Sequence, residues 1–181
     1  PHSTPIYDGE DFPCVRSQDV GWGSLDFSKA LRTSEREFSE RTRRGEPQEG
    51  DIVYVREGDV GRCAVVDGSQ RFCLGQRVMM FRPNPKLIRS DFLMYQLMAP
   101  QVLHERILSG KTGTTSHHVN VKHMREVVIR VPPLSVQADV ESSVQTMQTG
   151  MDLARRIQTE TAAELDALLP SILDRAFKGE L

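Results

Sequence analysis

The residues best suited to chemistry lie in a polar stretch from Ser109 to Asn120, SGKTGTTSHHVN, whose one apolar side chain is Val119. Short hydroxyl, amide and imidazole groups of this kind contact phosphate oxygens and base edges. An ordinary surface loop has a similar composition. A second candidate is Arg56 to Arg62, REGDVGR, a charged turn whose two glycines let its tip approach another molecule closely. A plain hairpin loop is the alternative. Asp51, Glu57 and Asp59 are carboxylates of the kind a nuclease uses around magnesium, although solvated ion pairs with the neighbouring arginines account for two of them as well. His117, His118 and His123 lack the H-E-x-x-H spacing and have no close carboxylate before Glu126, so no metal site is expected. The chain has no G-x-S-x-G element, no recognisable cysteine–histidine nucleophile pair and no G-K-[ST] phosphate loop. Neither a cofactor nor catalysis by the chain itself is expected.

Charge is distributed unevenly. The net charge of −2 argues against a nucleic-acid partner at first. Residues 52–135, however, hold 12 basic and 6 acidic side chains, whereas 136–181 hold 4 basic and 8 acidic. A basic middle and an acidic tail place any phosphate-facing surface on the globular part, with an accidental imbalance as the alternative. A hydrophobic content of 38% and a length of 181 residues suit one good-sized domain with an appendage. No apolar run approaches the ~20 residues of a membrane span, and no signal peptide opens the sequence. Cys14, Cys63 and Cys73 have no C-x-x-C pairing and read as reduced thiols, which suggests a cytoplasmic protein. The start at Pro1 reads as a processed or cloned piece of something longer.

The elements that position these residues follow from local pattern. Phe12 begins a short strand, FPCVR, that ends in the polar run Ser17-Gln18-Asp19. The lone Trp22, in a Gly-Trp-Gly turn, reads either as core or as an exposed stacking group, and the small number of aromatics favours core. Ser34 and Glu37 form the capping-box signature of a short helix to Arg43. Ile52–Val55 and Val65–Val66 flank the charged turn as strands of a hairpin. RFCLGQRVMMFRP is one or two strands broken at Gly75. Asp91 caps a helix that Pro100 splits, and Met124 to Val131 is the last strand.

After the stiff Pro132-Pro133 join, the last third reads as one long helix to Leu169, interrupted at Pro170, which lacks the amide that would bond Asp166. Val140, Val144, Met147, Met151, Ala154, Thr161, Leu165, Leu168 and Ile172 alternate mostly in steps of four and three, the seam of a helix that packs lengthwise on another. An amphipathic helix folded back on its own domain is the alternative. The expected fold is a mixed α/β globular domain over 1–133 followed by a coiled-coil-type helix over 134–181.

Several blocks resemble the specificity subunits of type I restriction–modification systems: VRSQDV at 15–20, GDIVYVREGDVGRCAVV at 50–66, KTGTTSHHVNVKHMREVVIRVPPLSVQ at 111–137 and LLPSILDRAFKGEL at 168–181. Their order is that of a target recognition domain followed by its spacer helix. One departure stands out, because relatives are expected to carry glutamine where this chain has Ser116. The resemblance implies a non-catalytic subunit, or half-subunit, that binds part of a split double-stranded DNA site. It would direct methyltransferase subunits, and through them a restriction subunit, to that site, with self-association through the helix for a half-size form.

On that basis the DNA-contacting set is Arg16, Ser17 and Gln18, then Arg56 and Arg62, then Gln76 and Arg77. The loop adds Lys111, Thr112, Thr114, Thr115, Ser116, His117, His118 and Asn120. Arginine suits guanine or phosphate, and Gln76 and Asn120 suit adenine. A magnesium nuclease would instead cleave DNA alone, and a coiled-coil adaptor without a DNA role would be indifferent to changes at Arg56 or Lys111.

Overall fold

The apolar run Ile52–Val55 forms the strand around which the domain is arranged. The computed structural model describes residues 4–112 and 118–179, omitting the side chains of Lys111, Thr112, Leu169 and Ser171. The chain divides into two compact units, residues 1–138 and 139–181.

In the first unit, β1 (Phe12–Val15) is followed by a 3₁₀ turn at Ser17–Asp19, β2 (Leu31–Thr33) and helix α1 (Glu35–Thr42). Next come β3 (Ile52–Val55), β4 (Cys63–Val65), β5 (Cys73–Leu74) and β6 (Val78–Phe81). Helix α2 (Ser90–Met98) leads through a π-helical stretch, Gln101–Ile107, and a 3₁₀ turn, Leu108–Gly110, to β7 (Lys111–Thr112). Then follow β8 (His118–Val119), α3 (Val121–Glu126) and α4 (Leu134–Phe177).

Strand β3 is central, antiparallel to β4 on one side and to β6 on the other. All four of its residues are fully buried, which is why its sequence is continuously apolar rather than alternating. Ile52 and Tyr54 face a core with Ile88, Phe92, Leu97 and Ile107, whereas Val53 and Val55 face a second core with Val15, Val20 and Phe72. The period of two along one strand therefore divides the interior into two packed layers.

A second sheet has the order β2-β1-β5, with β1 antiparallel to β2 and parallel to β5, Cys14 lying beside Cys73. The break at Gly75 thus does more than interrupt one strand: β5 and β6 belong to different sheets. Phe12 stacks on Phe38 of α1 with ring centroids 4.0 Å apart, and the Arg71 guanidinium lies over both rings.

Several local expectations need correction. Ser34 caps α1 by accepting from the Glu37 N–H, but the Glu37 carboxylate accepts from Arg41 and from the Ile6 N–H instead of closing a capping box. The N-cap of α2 is Arg89, with Asp91 inside the first turn. Met124 to Val131 is not a strand: Met124 ends up inside α3, whose start is capped by Asn120. Val127 and Ile129 are half-buried and Val128 is exposed, so the strand-like alternation is present, but the segment has no ladder partner among the described residues.

Helix α4 is 44 residues long, about 66 Å at ~1.5 Å per residue. It continues through Pro170, which removes a single amide donor, so no restart occurs there. Its first turns, through Ala138, belong to the first unit. In the second unit Val140, Met147, Met151, Ala154, Leu165, Leu168 and Ile172 are exposed and Val144 is half-buried. Among the described residues no helix is long and apolar enough to cross a membrane.

Candidate nucleic-acid interface

Parallel pairing of β1 with β5 puts the end of the first strand against the Gly75 turn. The Gly75 N–H donates to the Val15 carbonyl at 2.8 Å, and a Cβ on Gly75 would lie 3.0 Å from the Arg16 side chain. Arg16 therefore packs on Gly75, at the start of the turn that carries Gln76 and Arg77, about sixty residues away in sequence. Its guanidinium forks over the buried Asp19 carboxylate, with Nε 3.1 Å from Oδ2 and Nη2 3.3 Å from Oδ1, and also donates to the Lys29 carbonyl. Ser17 and Gln18 occupy the 3₁₀ turn between them, Ser17 half-buried and Gln18 exposed.

The same turn reaches the hairpin. The Arg56 N–H donates to the Arg77 carbonyl, and the Val119 N–H donates to the Arg56 carbonyl. Arg77 Nε is 3.3 Å from Glu57 Oε1, and Glu57 Oε2 is 3.5 Å from His118 Nδ1. Arg56 Nη1 lies 3.2 Å from His118 Nε2. Three segments thus converge: the end of β3, the β5–β6 turn and the start of β8. Arg77 achieves this with φ at +66°, a left-handed conformation costly for a side chain other than glycine. It leaves an arginine exposed at the junction of two sheets.

Arg16, Gln76, Arg77, Arg56 and His118 form one row of neighbours. Gln76 is exposed and its Nε2 donates to Thr4 Oγ1. Arg62 lies apart, at the far end of the hairpin turn, paired with Asp59 at 3.0 Å. Asn120 is exposed and its side chain accepts from the Lys122 N–H. Lys111 and Thr112 form β7, antiparallel to β8. Thr114, Thr115, Ser116 and His117 lie outside the described residues.

The three acids proposed for magnesium do not meet. Asp51 is buried and takes a bidentate ion pair from Arg82, at 2.8 and 2.6 Å, as well as the Gln48 N–H. Glu57 sits at the opposite end of β3, roughly 20 Å away at ~3.3 Å per residue, facing Arg77 and His118. Asp59 pairs with Arg62. Among the described residues no three His, Cys, Asp or Glu side chains are grouped to hold a metal ion. His123 is used locally, its Nε2 lying 2.7 Å from the Arg106 carbonyl.

Trp22 overturns its assignment to the core, being 60% exposed. Its turn runs beside β4, where the Gly23 N–H donates to the Cys63 carbonyl and Met94 fills the space beneath. Scarcity of aromatics was a poor guide, because Phe72, Phe92 and Tyr54 already fill the interior.

Over residues 4–160 the chain matches the family described as the type I restriction modification DNA specificity domain, and it belongs to that family. The EcoBI type I restriction enzyme specificity subunit of Escherichia coli is 23% identical over 167 residues, covering 92% of this chain and 35% of the relative. The EcoKI specificity subunit of Escherichia coli strain K12 is 24% identical over 186 residues, covering 99% of this chain and 39% of that one. This chain therefore spans less than two-fifths of the length of either. A chain solved in work on complex assembly and conformational transition of the type I R-M system shares the fold, with a TM-score of 0.69 at 24% identity over all of this chain and 42% of that one.

Proposed function

We propose that this chain is a target recognition module of a type I specificity subunit, a sequence-specific double-stranded DNA-binding part without catalysis of its own. The observation that carries this, beyond family membership, is the row Arg16, Gln76, Arg77, Arg56 and His118, drawn from distant segments to one edge of the domain. Guanidinium groups held by backbone pairing serve phosphate and guanine contacts, and Gln76 serves adenine. Ser17, Gln18, Arg62 and the loop from Lys111 to Asn120 extend the same proposal. In it, residues 1–133 read DNA and 134–181 act as spacer and dock. The partners are methyltransferase subunits, a restriction subunit recruited through them, and a bipartite site in the cytoplasm.

Selection from a random duplex library tests the reading. The expected result is enrichment of a short motif bound at least ~10³-fold tighter than random duplex. Binding that is salt-dependent but not selective would reduce the role to phosphate attraction, and no binding would overturn it.

A second element concerns α4. Its exposed seam, with Met147 68% and Leu165 61% exposed, supports self-association of a half-size subunit through the helix. Molar mass in solution tests this: a dimer that Met151→Glu with Leu165→Glu converts to a monomer supports it, and a wild-type monomer overturns it.

A further inference from the structure

The first unit contains a small cavity of about 160 Å³ lined by Gln96, Ala99, Gln101, Val102, Arg106 and Arg130. It forms where two helical stretches fail to run on. Pro100 keeps the residue before it out of the helical region, and Ala99 is extended, with ψ at 131°, so α2 ends at Met98 and the π-helical stretch begins at Gln101. That stretch carries Arg106 to the cavity and holds it in place. The Arg106 carbonyl accepts from Ser109 Oγ at 2.9 Å and lies 2.7 Å from His123 Nε2, while Nη1 donates to the Val128 carbonyl. Its Nε and Nη2 have no acceptor among the described residues, and Arg106 is half-buried, not enclosed. Arg130, two residues beyond Val128, is exposed and has no hydrogen bond or ion pair among the described residues. No carboxylate lines the cavity: Glu105 and Glu126, the nearest acids in sequence, are exposed and stand outside its lining.

We infer that this cavity binds a single phosphate group, held by the Arg106 and Arg130 guanidiniums with the side-chain amides of Gln96 and Gln101. Two positive charges on one small cavity repel each other, and an anion between them turns that repulsion into attraction. The number of donors selects the anion. A carboxylate has two oxygens, which one guanidinium fork already fills, whereas two forks and two amides match the larger oxygen set of a phosphate. The volume is below the ~300–1,000 Å³ of sites that enclose a whole small molecule, so it suits one group. The cavity lies outside the row from Arg16 to His118 and does not rest on the DNA-binding reading. The phosphate is either free, as the inorganic ion or the end of a nucleotide, or part of a DNA backbone. The recognising chemistry is the same, and the test separates the sources.

The full chain, labelled with ¹⁵N at arginine, is titrated with sodium phosphate at constant ionic strength and pH while the Nε–Hε signals are followed. Two arginine signals, one of them missing in Arg130→Gln, are expected to shift together and saturate near about 1 mM, the strength of two ordinary charge-assisted contacts. Arg130→Gln should weaken binding about tenfold by removing one such contact. Gln101→Glu, which brings a carboxylate to the lining at an exposed position, should abolish it. Thermal melting checks that both variants remain folded. The same titration with a short duplex of random sequence identifies the source: shifts of the same two signals that free phosphate reverses assign the site to DNA backbone, and shifts with phosphate alone assign it to a small ligand. No saturable shift with phosphate or duplex overturns the inference. An equal response to acetate, or wild-type affinity in folded Arg130→Gln, does so too. Each of these failures leaves the DNA-binding reading untouched, since that reading is tested by duplex selection.

Discussion

The Gln137 side chain joins the foot of α4 to the loop ahead of α2: its Oε1 accepts the Arg89 N–H at 2.8 Å, and its Nε2 donates to the Leu87 carbonyl at 3.0 Å. The same nitrogen donates to the Pro132 carbonyl at 2.7 Å, and the residue is fully buried. One amide thus completes three backbone groups that lie outside any ladder. Gln137→Leu, similar in volume, leaves all three unpaired and should cost about 2–3 kcal/mol. Gln137→Glu should cost more, because a carboxylate oxygen would face two carbonyls. Urea unfolding measures both, and a wild-type midpoint for the leucine variant would refute the role.

The buried Asp51 is structural. Removing it leaves the Gln48 N–H without its acceptor, whereas the half-exposed Arg82 keeps the Glu46 carbonyl and water, so Asp51→Ala should lose about 1–2 kcal/mol. Millimolar magnesium should leave the wild-type melting temperature unchanged. A magnesium-dependent rise abolished by Asp51→Ala would revive a shared metal site with its neighbouring acids.

At Arg77, backbone and charge separate cleanly. Arg77→Gly relieves the left-handed conformation and should raise stability by about 1 kcal/mol, whereas Arg77→Ala keeps the strain. Both remove one cation from the proposed DNA edge. Each should weaken duplex binding and reduce the log–log salt slope by about 1. Equal salt slopes for wild type and both variants would place Arg77 away from phosphate.

Burial sets the alkaline limit of stability. Enclosure pushes the Cys63 thiol from its ordinary 9.0 up to about 12. Burial, with the nearby Cys63 next, also raises the Tyr54 hydroxyl. In the unfolded chain Cys63 releases its proton near pH 9.0 while the folded chain retains it, so folding stability is full below that pH and falls as pH rises toward about 12. Cys63→Ala should flatten this decline, seen as a smaller drop in urea midpoint across the same range. An identical decline in both proteins would refute the assignment.

What was legible in the sequence had local causes. The β3–β4 hairpin followed from β-branched runs around a glycine-rich turn, and the start of α1 followed from Ser34. The long helix showed in its seam spacing, although Pro170 does not interrupt it. Long-range pairings were invisible: nothing in the sequence connects Asp51 with Arg82, Gln137 with Arg89, or Arg16 with Gly75. The exposed Trp22 was missed because residue type predicts average burial and not which aromatics reach the interior first. The Val127–Val131 run misled for a physical reason. It alternates as a strand does, but a strand also needs a neighbour to complete its ladder.

The parallel pairing of β1 with β5 has a consequence for synthesis. On the ribosome, Cys14 emerges early but acquires its parallel neighbour only once Cys73 has left the exit tunnel. Until then β1 has β2 alone, with its other edge unpaired. Completion of this sheet therefore waits for distant chain, a high-contact-order step that slows folding. Strand β1 of this domain is thus enclosed only after about sixty further residues have been added.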